Sequence, residues 1–238
     1  MLLEVQEIDA RADQLRHQRT HLPELTEIAE LERSRKVVED EARDVRIVVD
    51  DLVAEQAKVD ADVEAVRTRR TRDRDRMDQG LVTNPKDLER MQRELESLER
   101  RIRSLEDDEL EVMEKLEEAQ RALAHLDEQL AAHDERLAAL AAERDRRFAE
   151  IDAELASVEG GRAGKVEGVP ADLLALYDKL RASKGGVGAA ELRARQCGGC
   201  RLTLDNAELA VIARTAADQV VRCEECSRIL VRTSESGL

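Results

Sequence analysis

Aromatic side chains are nearly absent from this chain of 238 residues, which contains one Phe, one Tyr and no Trp. A single compact core of this size normally contains many large rings, whereas Leu, Val, Ile and Ala suffice for the narrow contact between two helices. Charged residues make up 39% of the sequence, against a usual share of about 25%. This composition argues against a large globular enzyme and favours long, solvated helices.

Long apolar runs and a signal peptide are also missing. No stretch approaches the roughly 18 apolar residues of a membrane helix, and the first residues lack a cationic start followed by an apolar run. We therefore expect a cytoplasmic protein without a membrane partner. The formal charge is −15, from 54 acidic and 39 basic side chains, so the chain repels nucleic acid at long range. A polyanionic partner would need a local basic patch.

Apolar residues recur at alternating steps of three and four along two segments, a spacing that places them on one stripe of a helix. The two stripes predict two long helices that pair along a coiled-coil seam. The earlier seam positions are Ile28, Leu31, Val38, Ala42, Val45, Val49, Leu52, Val59, Val63, Val66 and Met77. The later ones are Leu88, Met91, Leu95, Leu98, Ile102, Leu105, Val112, Leu116, Ala119, Leu123, Leu126, Leu130, Leu137 and Leu140. Polar residues occupy the seam at Arg35, Gln56, Arg70, Asp73, Glu109 and His133.

A short break separates the two segments at about residues 78–86. Gly80 suits the end of a helix, Asn84 suits the cap of the next one, and Pro85 suits its first position. The helices are therefore expected to fold back as an antiparallel hairpin with its tip at this break. At about 1.5 Å per residue, the returning helix to about Val158 would be roughly 110 Å long. Pro23 predicts a further break near the start of the first helix.

All four cysteines lie in the C-terminal region, as two CxxC pairs separated by 22 residues. Each pair can direct two thiolates at one ion, so together they predict a closed tetrahedral Zn²⁺ site formed by Cys197, Cys200, Cys223 and Cys226. Disulfides and free thiols are the alternative, and a reducing compartment disfavours disulfides. Because four protein ligands leave no position for water, we expect one structural zinc ion and no catalytic metal.

The residues around the cysteines predict a small module. Residues 189–196, 219–222 and 227–232 suit short strands, and Asp205 with Glu208 forms the pattern of a capping box for a helix to about Arg214. The module contains too little apolar material to form a stable core unaided. We therefore expect the metal to stabilise it. Arg201, Arg222 and Arg228 are candidates to offset the thiolate charge.

The predicted fold class is therefore mainly α, with a long antiparallel coiled-coil hairpin followed by a small β-rich Cys₄ zinc ribbon. We place the hairpin at residues 1–159. Glycines at 160–164 predict its end and a linker at 160–186, which contains a short helix at 170–183. The zinc ribbon then covers residues 187–238.

The hairpin, the tip sequence Val82-Thr83-Asn84-Pro85 and the two CxxC pairs resemble the bacterial C4-type zinc-ribbon family with an N-terminal coiled-coil hairpin, which has members in Chlamydia, Helicobacter and actinobacteria. The resemblance covers nearly the whole chain and implies that the four cysteines bind zinc. In flagellated bacteria, members are implicated as adaptors for sigma-54, flagellar export components and an mRNA. The resemblance thus implies a partner in transcription or secretion machinery. Ser227 stands where the family usually has Gly.

A cationic cluster lies at the predicted tip of the hairpin. It could bind an acidic protein surface or the phosphates of nucleic acid. In the competing interpretation, these arginines pair with neighbouring acids on a solvated helix end. No nearby aromatic residue could stack on bases. The candidate partner-binding residues are Arg67, Arg69, Arg70, Arg72, Arg74, Arg76, Lys86 and Arg90.

These patterns predict a non-enzymatic zinc-binding adaptor that contacts protein partners through its coiled coil and zinc ribbon. The alternative is a regulator that binds RNA or DNA through the arginines of the tip. An enzyme is the third interpretation, and no Gly-rich phosphate loop, open metal site or nucleophile with a base supports it.

Overall fold

The computed structural model describes residues 1–238 and contains five helices and one four-stranded sheet. The elements are α1 (Leu2–Thr20), α2 (Pro23–Asp78), α3 (Pro85–Val166), α4 (Ala171–Ser183), β1 (Ala189–Arg193), β2 (Gln196–Cys197), α5 (Asn206–Arg214), β3 (Val221–Arg222) and β4 (Ile229–Arg232). The predicted fold class is confirmed. None of the helices combines the length and the apolar character that crossing a bilayer requires.

The chain divides into two compact units. Residues 27–140 form one unit, which we call the arm. The other unit, which we call the base, comprises residues 1–26 and 141–238. Within the base, residues 187–238 contain the sheet and the cysteines, and we call this part the ribbon.

The arm is built on the predicted seam. Every apolar seam position from Ile28 to Leu140 is buried or half-buried. Apolar side chains outside the frame remain exposed, as for Val37 (58%) and Leu110 (59%). Position in the heptad, and not hydrophobicity alone, therefore determines which side chains the two helices bury.

The two helices of the arm run antiparallel, as ion pairs between them demonstrate. Arg35 lies 2.6 Å from Asp134, and Arg67 lies 2.6 Å from Glu106, so the acid's number falls as the arginine's number rises. These pairs are largely exposed and therefore contribute little stability each. Their main effect is to favour one register of the two helices.

The turn at the end of the arm has the predicted local chemistry. Gly80 has a φ of +68°, a conformation that glycine adopts without a steric penalty. The side-chain oxygen of Asn84 accepts a hydrogen bond from the N–H of Lys86 at 3.0 Å, and Pro85 is the first residue of α3. Gly80, Asn84 and Pro85 thus have the roles that the sequence predicts.

In the base, α1 runs antiparallel to the last part of α3. Asp9 lies 2.7 Å from Arg162, and Arg19 lies 2.8 Å from Asp152, so the residue number on α3 falls as the number on α1 rises. The helical segment is interrupted between Thr20, where α1 ends, and Pro23, where α2 begins, as predicted. Thus α1 pairs with α3 in the base as α2 does in the arm.

The predicted end of the long helix near Gly160 is wrong, because α3 continues through Gly160 and Gly161 to Val166. With Gly164, three glycines lie in this part of the helix, and each costs about 1 kcal/mol. Contacts in the turns that follow Gly160 and Gly161 compensate for that cost. Arg162 donates a hydrogen bond to Asp9 of α1 at 2.7 Å, and Val166 packs against a buried cluster of the base. The segment at 160–166 is therefore helix and not linker.

The sheet of the ribbon has the strand order β2-β1-β4-β3. The outer pairs, β1 with β2 and β3 with β4, are antiparallel, and the central pair, β1 with β4, is parallel. Strands are present in all three predicted segments, but they are shorter than predicted. The buried core of the ribbon consists of Ala190, Leu192, Cys197, Leu204, Leu209, Ile212, Cys223 and Leu230.

The ribbon packs against α1 and α4 through a second apolar cluster. Leu2 and Val5 of α1 and Tyr177 of α4 lie there together with Ala189 and Ile229 of the sheet. This contact packs the N-terminal helix, α1, against the ribbon and α4. It also means that the ribbon shares its buried surface with the helices of the base.

Candidate metal centre and tip surface

The two CxxC segments form equivalent turns. The N–H of Arg201 donates to the carbonyl oxygen of Cys197 at 2.7 Å, and the N–H of Ser227 donates to that of Cys223 at 2.8 Å. Both donor residues have a left-handed backbone, with φ of +63° for Arg201 and +66° for Ser227. The cysteines of each pair are therefore presented by the same local geometry.

The glycines of the first turn allow a close approach to neighbouring groups. A Cβ on Gly198 would lie 3.0 Å from the carbonyl oxygen of Glu191, and one on Gly199 would lie 2.5 Å from Cδ of Arg228. The N–H of Gly198 also donates to the carbonyl oxygen of Glu191 at 2.9 Å. Small residues therefore let the turn pack directly against β1 and against Arg228.

The structure brings the four predicted cysteines together. Their Sγ atoms all lie within 4.8 Å of one another, with 3.7 Å between Cys197 and Cys226 and 3.9 Å between Cys200 and Cys223. Four sulfurs at about 2.3 Å from one zinc ion are about 3.8 Å apart in a regular tetrahedron. A disulfide would need about 2.05 Å, and all four cysteines are free. The donor set therefore fits a tetrahedral Zn²⁺ ion.

The thiols differ in how readily they ionise. Burial raises the pKa of Cys197, and it raises the pKa of Cys223 to about 12. Burial acts on Cys226 in the same direction, but hydrogen bonds from the backbone and side chain of Arg228, together with those from Cys223 and Cys200, lower its pKa to about 7. Metal binding must therefore displace protons from the more basic thiols, which makes it dependent on pH.

Arg228 also links the cysteines to the segment before β1. Its Nε donates to the carbonyl oxygen of Val187 at 2.9 Å, and its terminal nitrogen donates to that of Lys184 at 2.6 Å. The sequence predicted only that this arginine offsets thiolate charge. Arg222, another candidate for that role, donates to the carbonyl oxygen of Ser227 at 3.0 Å, and Arg201 is exposed.

Gln6 of α1 contacts the same glycine-rich segment from the other side. Its Nε2 donates to the carbonyl oxygen of Gly186 at 2.9 Å, while its Oε1 accepts from the N–H of Gly188 at 2.8 Å and from that of Ala189 at 3.3 Å. Gln6 is buried. Sequence reasoning missed this residue, because its partners lie about 180 positions away and no short-range pattern marks it.

The predicted capping box is half correct. The carboxylate of Asp205 accepts hydrogen bonds from the N–H groups of Ala207 and Glu208, each at 2.7 Å, and α5 follows as predicted. Glu208 does not complete the box. Its carboxylate instead accepts a hydrogen bond at 3.2 Å from the N–H of Glu224, which lies inside the second CxxC turn. This acid thus connects α5 to the cysteines.

A buried carboxylate organises the helices of the base. Asp9 is 5% exposed and accepts hydrogen bonds from Nε of Arg162 at 2.7 Å and from the hydroxyl of Tyr177 at 2.8 Å. Burial, together with the Asp9 carboxylate, raises the pKa of Tyr177. Arg181 reaches the same carboxylate at 3.8 Å. The sequence did not single out these groups, which join α1, α3 and α4.

Three of the predicted partner-binding arginines are neutralised within the arm. Arg67, Arg69 and Arg70 all reach across to acids of α3. The pairs are Arg67 with Glu106 at 2.6 Å, Arg69 with Glu94 at 2.5 Å and Arg70 with Glu99 at 3.0 Å. For these residues the competing interpretation, a helix end with internal ion pairs, describes the structure.

The other predicted residues at the tip are less constrained. Arg72 lies 3.5 Å from Asp73, and Arg90, whose side chain is 82% exposed, lies 3.6 Å from Asp87. Arg74, Arg76 and Lys86 form no ion pair. The cationic surface at the tip is therefore smaller than the sequence predicted, and it is concentrated at the last turn of α2 and the first turns of α3.

Comparison with known proteins identifies both parts of the chain. Residues 5–185 match the CT398-like coiled coil hairpin domain, and residues 196–230 match the C4-type zinc ribbon domain. An uncharacterized protein of Mycobacterium tuberculosis strain H37Rv is 36% identical over 231 residues, which cover 97% of this chain and 94% of the relative. The ribbon match contains all four clustered cysteines, which indicates one Zn²⁺ ion.

Solved structures share the fold. A structure from Mycobacterium smegmatis is 34% identical with a TM-score of 0.85, and the match covers 96% of this chain and 94% of that one. CT398 from Chlamydia trachomatis has a TM-score of 0.71 at 19% identity, with 98% and 96% covered. The HP0958 protein from Helicobacter pylori has a TM-score of 0.51 at 12% identity, with 97% and 95% covered. The last two are similar in fold alone.

Proposed function

Because the chain belongs to the family of CT398-like coiled-coil hairpins with a C4-type zinc ribbon, we propose that it is a non-enzymatic adaptor that binds protein partners through its arm and ribbon. In this proposal, Cys197, Cys200, Cys223 and Cys226 hold one structural Zn²⁺ ion. The ion holds the two CxxC turns together, and the arm presents a partner-binding surface at its tip.

The observation that carries the proposal is the cationic tip of an otherwise acidic chain. Arg74, Arg76 and Lys86 have no acidic partner within the protein, although the formal charge of the chain is −15. The turn beside them exposes 65% of Leu81. Unpaired cations next to an exposed aliphatic side chain form a surface that a protein partner can bury, since arginines are enriched at the centres of interfaces.

The donor set at the cysteines supports a structural role for the metal. Four thiolates complete the tetrahedral coordination of Zn²⁺, so no position is open for water or substrate. The ion would join the turn after β2 to the turn between β3 and β4. Through the hydrogen bonds described above, Arg228 would then hold the segment before β1 in position, and Glu208 would hold α5.

The experiment is a crosslinking pulldown from the native host with the full-length zinc-loaded chain, read by mass spectrometry with and without nuclease. We expect protein partners that survive nuclease treatment and are reduced for the double variant Arg74→Glu with Arg76→Glu or for Cys223→Ser. The matched control is Arg100→Glu with Arg103→Glu, which makes the same charge change on exposed positions of α3. Recovery only of nuclease-sensitive partners would contradict an adaptor.

A second candidate function is nucleic-acid binding through the same arginines. The clustering of arginines at the tip supports it, whereas the overall charge and the lack of aromatic residues near the tip oppose it. Binding to RNA and DNA oligonucleotides should be measured across a range of salt concentrations. Undetectable affinity at low salt would reject this candidate, as would affinity that survives replacement of Arg69, Arg70, Arg72 and Arg74 by Ala.

A further inference from the structure

The last turns of α2 place three arginines on one face. Arg69, Arg72 and Arg76 are spaced i, i+3 and i+7, so their side chains lie along the same side of the helix. They border a concave site of about 560 Å³ that lies between α2, the turn at residues 79–84 and the first turns of α3. We call this site the tip groove.

The groove contains the carboxylate of a mostly buried residue, Asp73, to which no group of the protein donates a hydrogen bond. Asp73 occupies a seam position and is 7% exposed. Its oxygens lie 3.8 Å from Nε of Arg69 and 3.5 Å from Nε of Arg72, both at or beyond the limit of a hydrogen bond. Buried carboxylates normally accept several hydrogen bonds. The Asp73 oxygens are not fully buried, so a ligand that brings an N–H donor into the groove would replace water at this carboxylate.

The rim of the groove carries cations that the chain does not neutralise fully. Arg69 is paired with Glu94 at 2.5 Å, but Arg76 has no acidic partner, and Arg90 is only loosely paired, at 3.6 Å from Asp87. The guanidinium group binds carboxylates and phosphates in a fork of two hydrogen bonds. The rim therefore favours an anionic ligand.

The other residues that line the groove favour a peptide ligand over a nucleic acid. Leu81, Val82 and Met91 give the groove an apolar part, and Leu81 is 65% exposed. Asp73, Asp87 and Glu94 place acids among the arginines, which would repel the closely spaced phosphates of a nucleic-acid backbone. A peptide can place its few carboxylates at the arginines, an aliphatic side chain on Leu81 and a backbone N–H at Asp73.

We propose that the tip groove binds a short extended segment of a partner protein that combines acidic and aliphatic side chains. Arg72, Arg76 and Arg90 bind its carboxylates, Leu81 packs against its aliphatic side chain, and Asp73 accepts one of its backbone N–H groups. An extended segment fits best, because a helix keeps most of its N–H groups for its own hydrogen bonds. This inference rests on the proposed adaptor function and names the chemistry of the partner.

The test is fluorescence anisotropy with the full-length, zinc-loaded protein at low salt. The probe is a fluorescein-labelled synthetic peptide that alternates Glu or Asp with Leu. Two further probes are the same peptide with Gln and Asn in place of the acids, and a single-stranded RNA of equal length. We expect the acidic peptide to bind at least about tenfold more tightly than either.

Variants locate the binding. We expect Arg72→Gln with Arg76→Gln to weaken binding of the acidic peptide by about tenfold or more, and Leu81→Ser to weaken it several-fold. The control, Arg100→Gln with Arg103→Gln, makes the same charge change on exposed positions of α3 and should leave binding unchanged. Circular dichroism of each variant checks that the helices are retained.

Three results would overturn the inference: no binding of the acidic peptide, tighter binding of the RNA, or binding that the Arg72 and Arg76 variant does not alter. The pulldown separates this failure from failure of the adaptor function. If partners are still recovered by the variant in which Arg72 and Arg76 are Gln, the adaptor function stands and another surface binds them. If no protein partner is recovered by the wild type, the function itself is wrong.

Discussion

The arm buries a narrow seam along residues 27–140, whereas the ribbon arranges a small core around four thiols. In the arm, each seam residue contributes a small part of the stability, and neighbouring turns repeat the same contact. In the ribbon, Cys197 and Cys223 are themselves buried core residues. One part of the chain therefore distributes its stabilisation, while the other concentrates it at a single point.

This difference determines how each region should respond to change. Removing one seam side chain leaves most of the arm's contacts in place. Removing one thiol disrupts the donor set and part of the buried core together.

Removal of the metal should separate the two regions most clearly. Structural zinc sites contribute about 10–16 kcal/mol of apparent binding free energy, so Cys223→Ser or chelation should unfold the ribbon. The arm should keep its helices, because its seam contains no metal ligand. Elemental analysis and hydrogen exchange read by mass spectrometry would measure both effects. The control is Ser234→Ala, an exposed position of the ribbon. Protected ribbon amides in metal-free protein would contradict the contrast.

Loss of the Gln6 side chain should loosen the contact between the ribbon and α1. In Gln6→Ala, the N–H of Gly188, which is buried, loses its acceptor, and such a loss costs about 1–3 kcal/mol. Hydrogen exchange at residues 186–189 should become faster while exchange in the arm is unchanged. Gln18→Ala, at an exposed position of the same helix, is the control. Equal exchange in both variants would show that Gln6 does not hold this segment.

Replacing polar residues at the seam of the arm should increase stability, in contrast to the two changes above, which decrease it. Gln56 and Glu109 are half-buried where apolar residues normally lie, and polar residues there can specify register at a cost in stability. The double variant Gln56→Leu with Glu109→Leu should raise the melting temperature of the helices, measured by circular dichroism. An unchanged or lowered value would refute this explanation of the polar residues.

The smallest expected effect is in the second CxxC turn. Ser227 has a φ of +66°, a conformation that disfavours residues other than glycine. Ser227→Gly should stabilise the zinc-loaded ribbon by about 1 kcal/mol or less, since the gain is offset by greater freedom of the unfolded chain. Competition with a chromogenic chelator would measure the gain as tighter zinc retention. Ser234→Gly, which lacks a positive φ, should give no such gain.

Local patterns predicted much of this fold. The heptad seam, the helix break at Pro23 and the turn at Gly80 and Asn84 depend on residues within a few positions of each other, and all were predicted. The clustering of the four cysteines was predicted as well, because a CxxC turn places two thiols together and the chemistry of zinc requires four. Asp205 capped α5 as expected, since its partners are the next residues of the same helix.

Other features depended on residues far apart in the chain. Gly160 and Gly161 remain helical because Arg162 reaches Asp9 and Val166 packs in the base, which the local sequence does not reveal. Glu208 binds the second CxxC turn and not its own helix start, because that turn presents an N–H group at the right place. The tip arginines could not be divided into paired and unpaired groups until their neighbours on α3 were known.

By itself, the amino-acid sequence determined the periodic elements and the identity of the donor atoms, because helix seams, turns and thiol pairs arise from contacts between near neighbours. Only the folded chain shows which polar groups meet: Gln6 with the glycine segment, Asp9 with Tyr177, and Glu208 with the second CxxC turn. The physical reason is that burial of a polar group is favourable only where a distant partner satisfies it, and that partner's position is a property of the folded chain.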